Sequence, residues 1–331
     1  MILLSFGTRP EWIKIKPLLE KLNESIPYRL LFTGQHTDLL SDIKSPVPII
    51  NLKITDGGNR LDSIVQSVMN CEHIFEQVDA VLVQGDTTSA FSIALACFHR
   101  KIKVIHLEAG LRTYDKAQPY PEEFNRQAIS RIADIHLCPT DTSKQYLVDE
   151  KTQGTIEVVG NTVLDNLVGI ETEYSNKVIV TMHRRENHHN MSEWFSEISK
   201  IAKSNSDLEF IIPLHPNPNV RKHKSLLEGV KVVGPMEYDE FISLLAKSKL
   251  VITDSGGLQE ETSFLGKKCI VCRKKTERME GVGHFAHICQ KPSDLSSLFE
   301  QVITDYEISG PSPYGDGNSS ERILEILKNE I

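Results

Sequence analysis

The chain has 331 residues, 40% of them apolar and 25% charged, which is the composition of a globular protein with length enough for two hydrophobic cores. Its formal charge of −8 argues against wholesale binding to a nucleic-acid backbone, and no apolar run approaches the length of a membrane span. Six scattered cysteines read as reduced core residues, and a strand-like start straight after Met1 without a basic leader points to a cytoplasmic protein.

Short apolar runs at 2–5, 30–33, 80–84, 104–107, 135–138 and 156–159 alternate with helical segments and predict buried parallel strands. The first run leads into Gly7-Thr8-Arg9, where Pro10 opens a helix and sets the Arg9 guanidinium beside a helix N-terminus, a place that suits a phosphate. A surface salt bridge is the bland alternative for Arg9, and Lys14, about one turn on, reaches the same anion or is a solvated helix residue. Asp86 follows the third run and Glu108 the fourth, while Glu122 and Arg126 share a helix face at i, i+4 just after Pro121. Three carboxylates gathered at a low-dielectric cleft suit proton transfer. Taken singly, Asp86 reads as the cap of a helix starting at Thr87, and Glu122 as a partner of Arg126.

A polar stretch at 171–177 reads as a linker between a first domain, 1–170, and a second, 178–310. The second domain repeats the pattern, with strands at 178–181, 210–214, 230–233, 250–253 and 269–272 and a helix over 238–247. Residues 311–331 form a Pro- and Gly-rich loop and a last helix near 320–328. His183 opens a run of titratable groups right after a strand, placed to neutralise a leaving phosphate or relay a proton; Arg184, Arg185, His188 and His189 read as solvated charges. His215 follows another strand in a Pro-rigid loop. The run from Leu250 carries an apolar strand into Asp254-Ser255-Gly256-Gly257 and then helix formers. Two residues without Cβ atoms let a diphosphate approach first-turn amides, with Glu260 and Glu261 one turn in, placed to accept from sugar hydroxyls.

Three motifs fail their context. Gly281-Val282-Gly283-His284-Phe285-Ala286 does not follow a strand, Cys269 and Cys272 fall on opposite faces of an apolar run with no second cysteine pair, and His106-Leu107-Glu108 lacks the cysteine partner of a zinc deaminase. Neither a metal nor a redox cofactor is expected. The fold class is α/β: two doubly wound, Rossmann-like parallel-sheet domains, with the polar residues at the strand ends lining one interdomain cleft.

These residues occur in ordered motifs across nearly the whole chain: Gly7-Thr8-Arg9-Pro10-Glu11, Gly34-Gln35-His36, Gln84-Gly85-Asp86-Thr87-Thr88, Glu108-Ala109-Gly110-Leu111-Arg112-Thr113 and Pro121-Glu122-Glu123-Phe124-Asn125-Arg126. They continue in Gly160-Asn161-Thr162-Val163, His183-Arg184-Arg185-Glu186-Asn187, 254–261 and Thr276-Glu277-Arg278. In them the chain resembles the non-hydrolysing UDP-N-acetylglucosamine 2-epimerases, which have the GT-B arrangement of two Rossmann-like domains. The resemblance implies an active-site set of Arg9, Lys14, Asp86, Glu108, Glu122, Arg126 and His183. It implies a nucleotide set of His215, Ser255, Gly256, Gly257, Glu261 and Arg278, with Glu261 on the ribose. The implied chemistry is reversible, cofactor-free 2-epimerisation: anti elimination of UDP to 2-acetamidoglucal, then syn re-addition, serving cell-surface polysaccharide synthesis in a homodimeric protein. A hydrolysing 2-epimerase, a relative acting on a diacetamido uronic acid, a GT-B glycosyltransferase and a nucleotide-sugar sensor are the alternatives. The chain departs from the pattern at Trp12, Met182 and Met279. It also carries Asp38 in Gln35-His36-Thr37-Asp38, where relatives that bind a second, activating substrate have Gln, and it is somewhat short for the family.

Overall fold

The structure, a computed structural model, describes residues 1–23, 25–35, 43–52 and 60–331; His36, Thr37 and Asp38 lie outside them. Alternation of apolar runs and amphipathic stretches produces two parallel sheets among the described residues, each in its own compact unit. The first unit holds β1 (Ile2–Phe6), α1 (Arg9–Leu22), β2 (Tyr28–Phe32), β3 (Ile49–Asn51), α2 (Arg60–Met69), β4 (Ala80–Gln84), α3 (Thr88–His99), β5 (Lys103–Leu107), α4 (Glu122–Ser130), β6 (Ile135–Cys138), α5 (Asp141–Asp149) and β7 (Thr155–Val158). Its strand order is β3-β2-β1-β4-β5-β6-β7. The second holds β8 (Lys177–Thr181), α6 (Met191–Ser204), β9 (Glu209–Pro213), α7 (Pro218–Arg221), β10 (Lys231–Val233), α8 (Tyr238–Ala246), β11 (Leu250–Thr253), α9 (Leu258–Phe264), β12 (Lys268–Val271), β13 (Ala286–Ile288) and α10 (Leu295–Thr304), in the order β10-β9-β8-β11-β12-β13.

The chain order reverses between β1 and β4 in one sheet and between β8 and β11 in the other. At such a switch point the crossovers diverge to opposite faces and leave an opening beyond the strand ends. β1, β4 and β11 are buried at every residue, which explains their continuous apolar reading. The helices show one apolar stripe each: α1 buries Trp12, Ile15, Leu18, Leu19 and Leu22, and α6 buries Met191, Trp194, Phe195, Ile198 and Ile201. Trp12, one of the departures, is absorbed by packing on Phe6 with ring centroids 5.0 Å apart.

The units divide at Asn166/Leu167 and again at Pro313/Tyr314, so the stretch read as a linker at 171–177 lies within the second unit, whose β8 already begins at Lys177. The last helix, α11 (Ser319–Glu330), belongs to the first unit. Ile323, Leu324 and Leu327 join the core of Ile2, Leu4 and Ile15; Asp165 accepts from the amides of Ser319 and Ser320; and Lys103 Nζ donates to the Glu330 carbonyl at 2.7 Å.

His106 and His136 lie side by side in register on β5 and β6, both fully buried, donating from Nε2 to the carbonyls of Gly85 and Gln153 at 2.7 and 3.0 Å. Burial pushes His106 down to about 3, against the opposing Gly85 bond, and burial likewise lowers His136. Below the ordinary histidine value the unfolded chain takes up protons that the folded chain refuses. The stability is therefore whole above pH ~6.5 and lost as pH falls toward the folded value, at about 1.4 kcal/mol per pH unit for His106. Urea unfolding at pH 7.5 and 5.5 should show a lower midpoint at 5.5, and equal midpoints would contradict this account.

Candidate active site

In the first unit, Thr8 caps α1 with its hydroxyl, Pro10 sits in the first turn, and Arg9 opens the helix half-buried. Glu11 is the hub of this corner. Its carboxylate is almost wholly buried and accepts from the Gly7 amide (2.9 Å), the Thr8 hydroxyl (2.8 Å) and the Thr87 hydroxyl (2.7 Å). Burial raises its proton affinity and those three donors oppose the rise. Thr87 itself caps α3 by accepting from the Ala90 amide, so the cap is Thr87 and not Asp86. One carboxylate thus ties the loop carrying Arg9 to the loop carrying Asp86.

Asp86 is free of capping work and faces α4. Its Oδ2 lies 3.4 Å from Arg126 Nε, and its carbonyl accepts from Asn125 Nδ2 at 2.8 Å. Arg126 is 2% exposed and pairs with Asp86 and with Glu123, also at 3.4 Å, rather than with Glu122 as the i, i+4 spacing predicts. None of its guanidinium nitrogens makes a hydrogen bond among the described residues, which leaves a buried cation with donors to spare. Glu123 is occupied elsewhere, accepting from the amides of Thr113 and Tyr114 and from Gln127. Glu122 starts α4, one turn before the residues that grip Asp86.

Glu108 stands just past β5 with φ +64°, left-handed backbone that costs a non-glycine residue about 1–2 kcal/mol. Its carboxylate accepts from Lys14 Nζ at 2.6 Å, Gln84 Nε2 at 2.5 Å and Asn161 Nδ2 at 3.0 Å. A Cβ on Gly85 would lie 3.3 Å from its Oε2, so the carboxylate abuts the loop of Asp86. Arg9, Lys14, Asp86, Glu108, Glu122 and Arg126 therefore share the carboxyl end of the first sheet. Gln84 and Asn161 had no role from the sequence; a polar residue closing an apolar strand, and an Asn just after another, were the only signals.

In the second unit, Asp254 is fully buried past β11 and accepts from the amides of His183 (3.0 Å) and Arg184 (2.9 Å) and from Asn187 Nδ2 (3.1 Å). The His183 ring stacks on His215, centroids 5.2 Å apart and 17° between planes, and its Nε2 is 4.0 Å from Asp254 Oδ1. Burial pushes His183 down to about 4; Asp254 opposes, while Arg184, His215 and His188 add to the fall. His215 is lowered by burial as well. Arg184 is half-buried, and its Nε lacks a hydrogen bond among the described residues, so it is more than a solvated charge.

The turn at 255–257 differs in detail from its sequence reading. A Cβ on Gly256 would lie 2.7 Å from Glu277 Oε1 and 2.9 Å from an Arg278 nitrogen, so the protein's own charged side chains fill that space. Gly257 meets nothing within 4 Å and is the open position. The Ser255 amide donates to Thr253 Oγ1, whereas the amides of Gly256, Gly257 and Leu258 donate to no protein acceptor among the described residues. Glu260 is fully buried and paired with Arg278 Nε at 2.8 Å, so it does not face a ligand. Arg278 also bonds Glu277, which in turn pairs with Arg273 at 3.2 Å; this buried network braces the turn from behind. Glu261 holds the Tyr238 hydroxyl at 2.9 Å. The six cysteines are free thiols. Burial pushes Cys97, Cys138 and Cys269 up to about 12 and Cys289 to about 11, as suits inert core residues.

The sequence profile of the family described as UDP-N-acetylglucosamine 2-epimerase matches residues 20–328. The chain is 38% identical to the UDP-N-acetylglucosamine 2-epimerase of Campylobacter jejuni, over 98% of this chain and 97% of that one. It is 37% identical to that of Bacillus subtilis, over 98% and 94%. A crystal structure of the Neisseria meningitidis enzyme bound to UDP-GlcNAc superposes with a TM-score of 0.89 at 34% identity, covering 99% of each chain.

Proposed function

The chain belongs to the UDP-N-acetylglucosamine 2-epimerase family, and from that premise we propose that it interconverts UDP-N-acetylglucosamine and UDP-N-acetylmannosamine without hydrolysing them. The observation that carries the reading is the first sheet's carboxyl end, where Glu108 is set against Lys14 on left-handed backbone beside Asp86 and its buried Arg126. No carbonyl acidifies the proton on C2 of the sugar, so a base removes it as the C1–O bond breaks and UDP leaves with the electron pair. The product is the C1=C2 double bond of 2-acetamidoglucal. A proton returned to the opposite face of C2 and a UDP oxygen returned to C1 complete the exchange, with no cofactor needed. Glu108 accepts from Lys14, Gln84 and Asn161, donors that hold its carboxylate in one place, which supports a role in stabilising positive charge at C1 and the ring oxygen. Asp86 and Glu122 are the proton carriers in this reading. In the first unit Arg9 and Arg126 are the cations offered to substrate charge; in the second, His183 and the free amides of the 256–258 turn take the departing UDP, with His215 and Glu261 beside the nucleotide and Arg278 bracing the turn.

Incubation with UDP-N-acetylglucosamine in D2O, followed by NMR, is expected to place deuterium at C2 in both nucleotide sugars. Epimer without deuterium would sink the elimination route, net free UDP with N-acetylmannosamine would move the chain to the hydrolysing class, and inertness here with exchange on a diacetamido uronic acid would move the substrate. A cytoplasmic supply of N-acetylmannosamine units for cell-surface polysaccharide, by a homodimer, is part of the same proposal. The half-exposed Phe98 and Phe124 of α3 and α4 motivate the dimer, and a sedimenting monomer at micromolar concentration would remove it.

Gly257 offers a separable test. Its φ of −61° and ψ of −37° suit alanine, and the site has room for a Cβ. Gly257→Ala is expected to stabilise the fold by about 0.4–1 kcal/mol while weakening UDP binding about tenfold, readable by thermal melting and calorimetry.

A further inference from the structure

We propose that Asp254 and Asn187 are positioning residues that hold His183 against the 255–257 turn. The proposal rests on the reading of that turn and His183 as the UDP-facing part of an epimerase. Three loops leave the second sheet side by side, after β8, β11 and β12, tied at their bases by main-chain bonds such as that from the Cys272 amide to the Thr253 carbonyl at 2.7 Å, and side chains fix their placement beyond that. Asp254 does so for the first two. Its own amide donates to the Thr181 carbonyl at 3.1 Å, and both its carboxylate oxygens accept from the His183 amide at 3.0 Å. The same carboxylate takes the Arg184 amide at 2.9 Å and Asn187 Nδ2 at 3.1 Å. Asn187 adds the third loop, donating to the Cys272 carbonyl at 3.0 Å. Both side chains are buried, so these bonds are not shared with bulk water.

The clamp has a second effect. Burial and the neighbouring Arg184, His215 and His188 oppose protonation of the His183 ring, and the Asp254 carboxylate favours it. The residue that fixes where the imidazole stands therefore also supplies the negative charge beneath it, 4.0 Å from Nε2. An imidazole that must meet a diphosphate as it leaves and returns is sensitive to its place: a displacement of about 1 Å costs on the order of 100-fold in rate.

The experiment is a double-mutant cycle on the full chain. Asp254→Asn keeps the shape but turns one acceptor into a donor facing three N–H groups. It is expected to lower kcat by about 100-fold, with UDP affinity, measured by calorimetry with UDP alone, changed less than about threefold. In a His183→Asn background the same substitution should cost almost nothing further, because the residue through which it acts is gone. Asn187→Ala, which leaves Asp254 in place, should behave likewise with a smaller loss. Additive costs, or UDP affinity falling in step with kcat, would show a scaffold role and overturn the proposal, as would failure of both variants to fold. Wild-type exchange of deuterium at C2 is the control. Its absence sinks the epimerase reading, whereas wild-type exchange with additive variants sinks only the positioning role.

Discussion

Glu108→Gln is expected to reduce turnover of UDP-N-acetylglucosamine by about 100- to 1,000-fold, the range that loss of one charged catalytic group produces. The carboxamide fits the same volume, but one of its two termini is a donor, and it must face Lys14, Gln84 or Asn161, all donors at 2.5–3.0 Å. Charge opposite C1 disappears, and a nearly buried ammonium at Lys14 loses its counter-ion. Deuterium incorporation at C2 reads the loss directly. UDP, whose proposed anchor lies in the other unit, should bind the variant as it binds the wild type. Full exchange by Glu108→Gln would remove Glu108 from the chemistry, and a parallel loss of UDP affinity would make it a binding residue instead.

Gly110→Ala is expected to be the most damaging small substitution at the site, lowering stability by about 3 kcal/mol or more. The residue has φ +86°, where an L side chain costs about 1–2 kcal/mol, and its Cβ would lie 2.2 Å from the Ser143 carbonyl oxygen and 2.8 Å from that carbonyl carbon. Those atoms are backbone in the first turn of α5, so no rotamer change relieves the contact, and overpacking adds about 1–3 kcal/mol. The only relief is to shift the 108–112 loop, which carries Glu108 away from Lys14. Activity should fall along with the melting temperature. A variant that melts normally, or melts early yet turns over at the wild-type rate, would contradict this account. The contrast with Gly257, where a Cβ meets open space, separates a glycine required by the protein from one proposed to be required by its ligand.

The central strands were legible because strands buried on both faces leave continuous apolar runs; β3 and β13 were not. Each has three residues at a sheet edge, β3 half-buried or exposed at all three and β13 half-buried at two, too short and too mixed to stand out from loop. Candidate site residues stood out where residue type and strand end coincided, as at Asp86, Glu108 and His183. Their holders did not. Asn161 reaches Glu108 across 53 residues and Asn187 reaches Asp254 across 67, and no local pattern announces a bond of that span. Spacing also misled where a neighbour competed: Arg126 turns to Asp86 and Glu123, and Thr87 takes the cap from Asp86 because its hydroxyl already bridges the Ala90 amide and Glu11.

The return of α11 to the first unit sets an order on the making of the protein. The second unit has all its residues once Pro313 is joined, whereas the first lacks Ile323, Leu324 and Leu327 from its core until α11 leaves the ribosome. Of the two units, the one whose translation starts earlier is therefore completed later. During synthesis the apolar side chains of β1 and α1 wait, through the whole length of the other domain, for the helix that covers them.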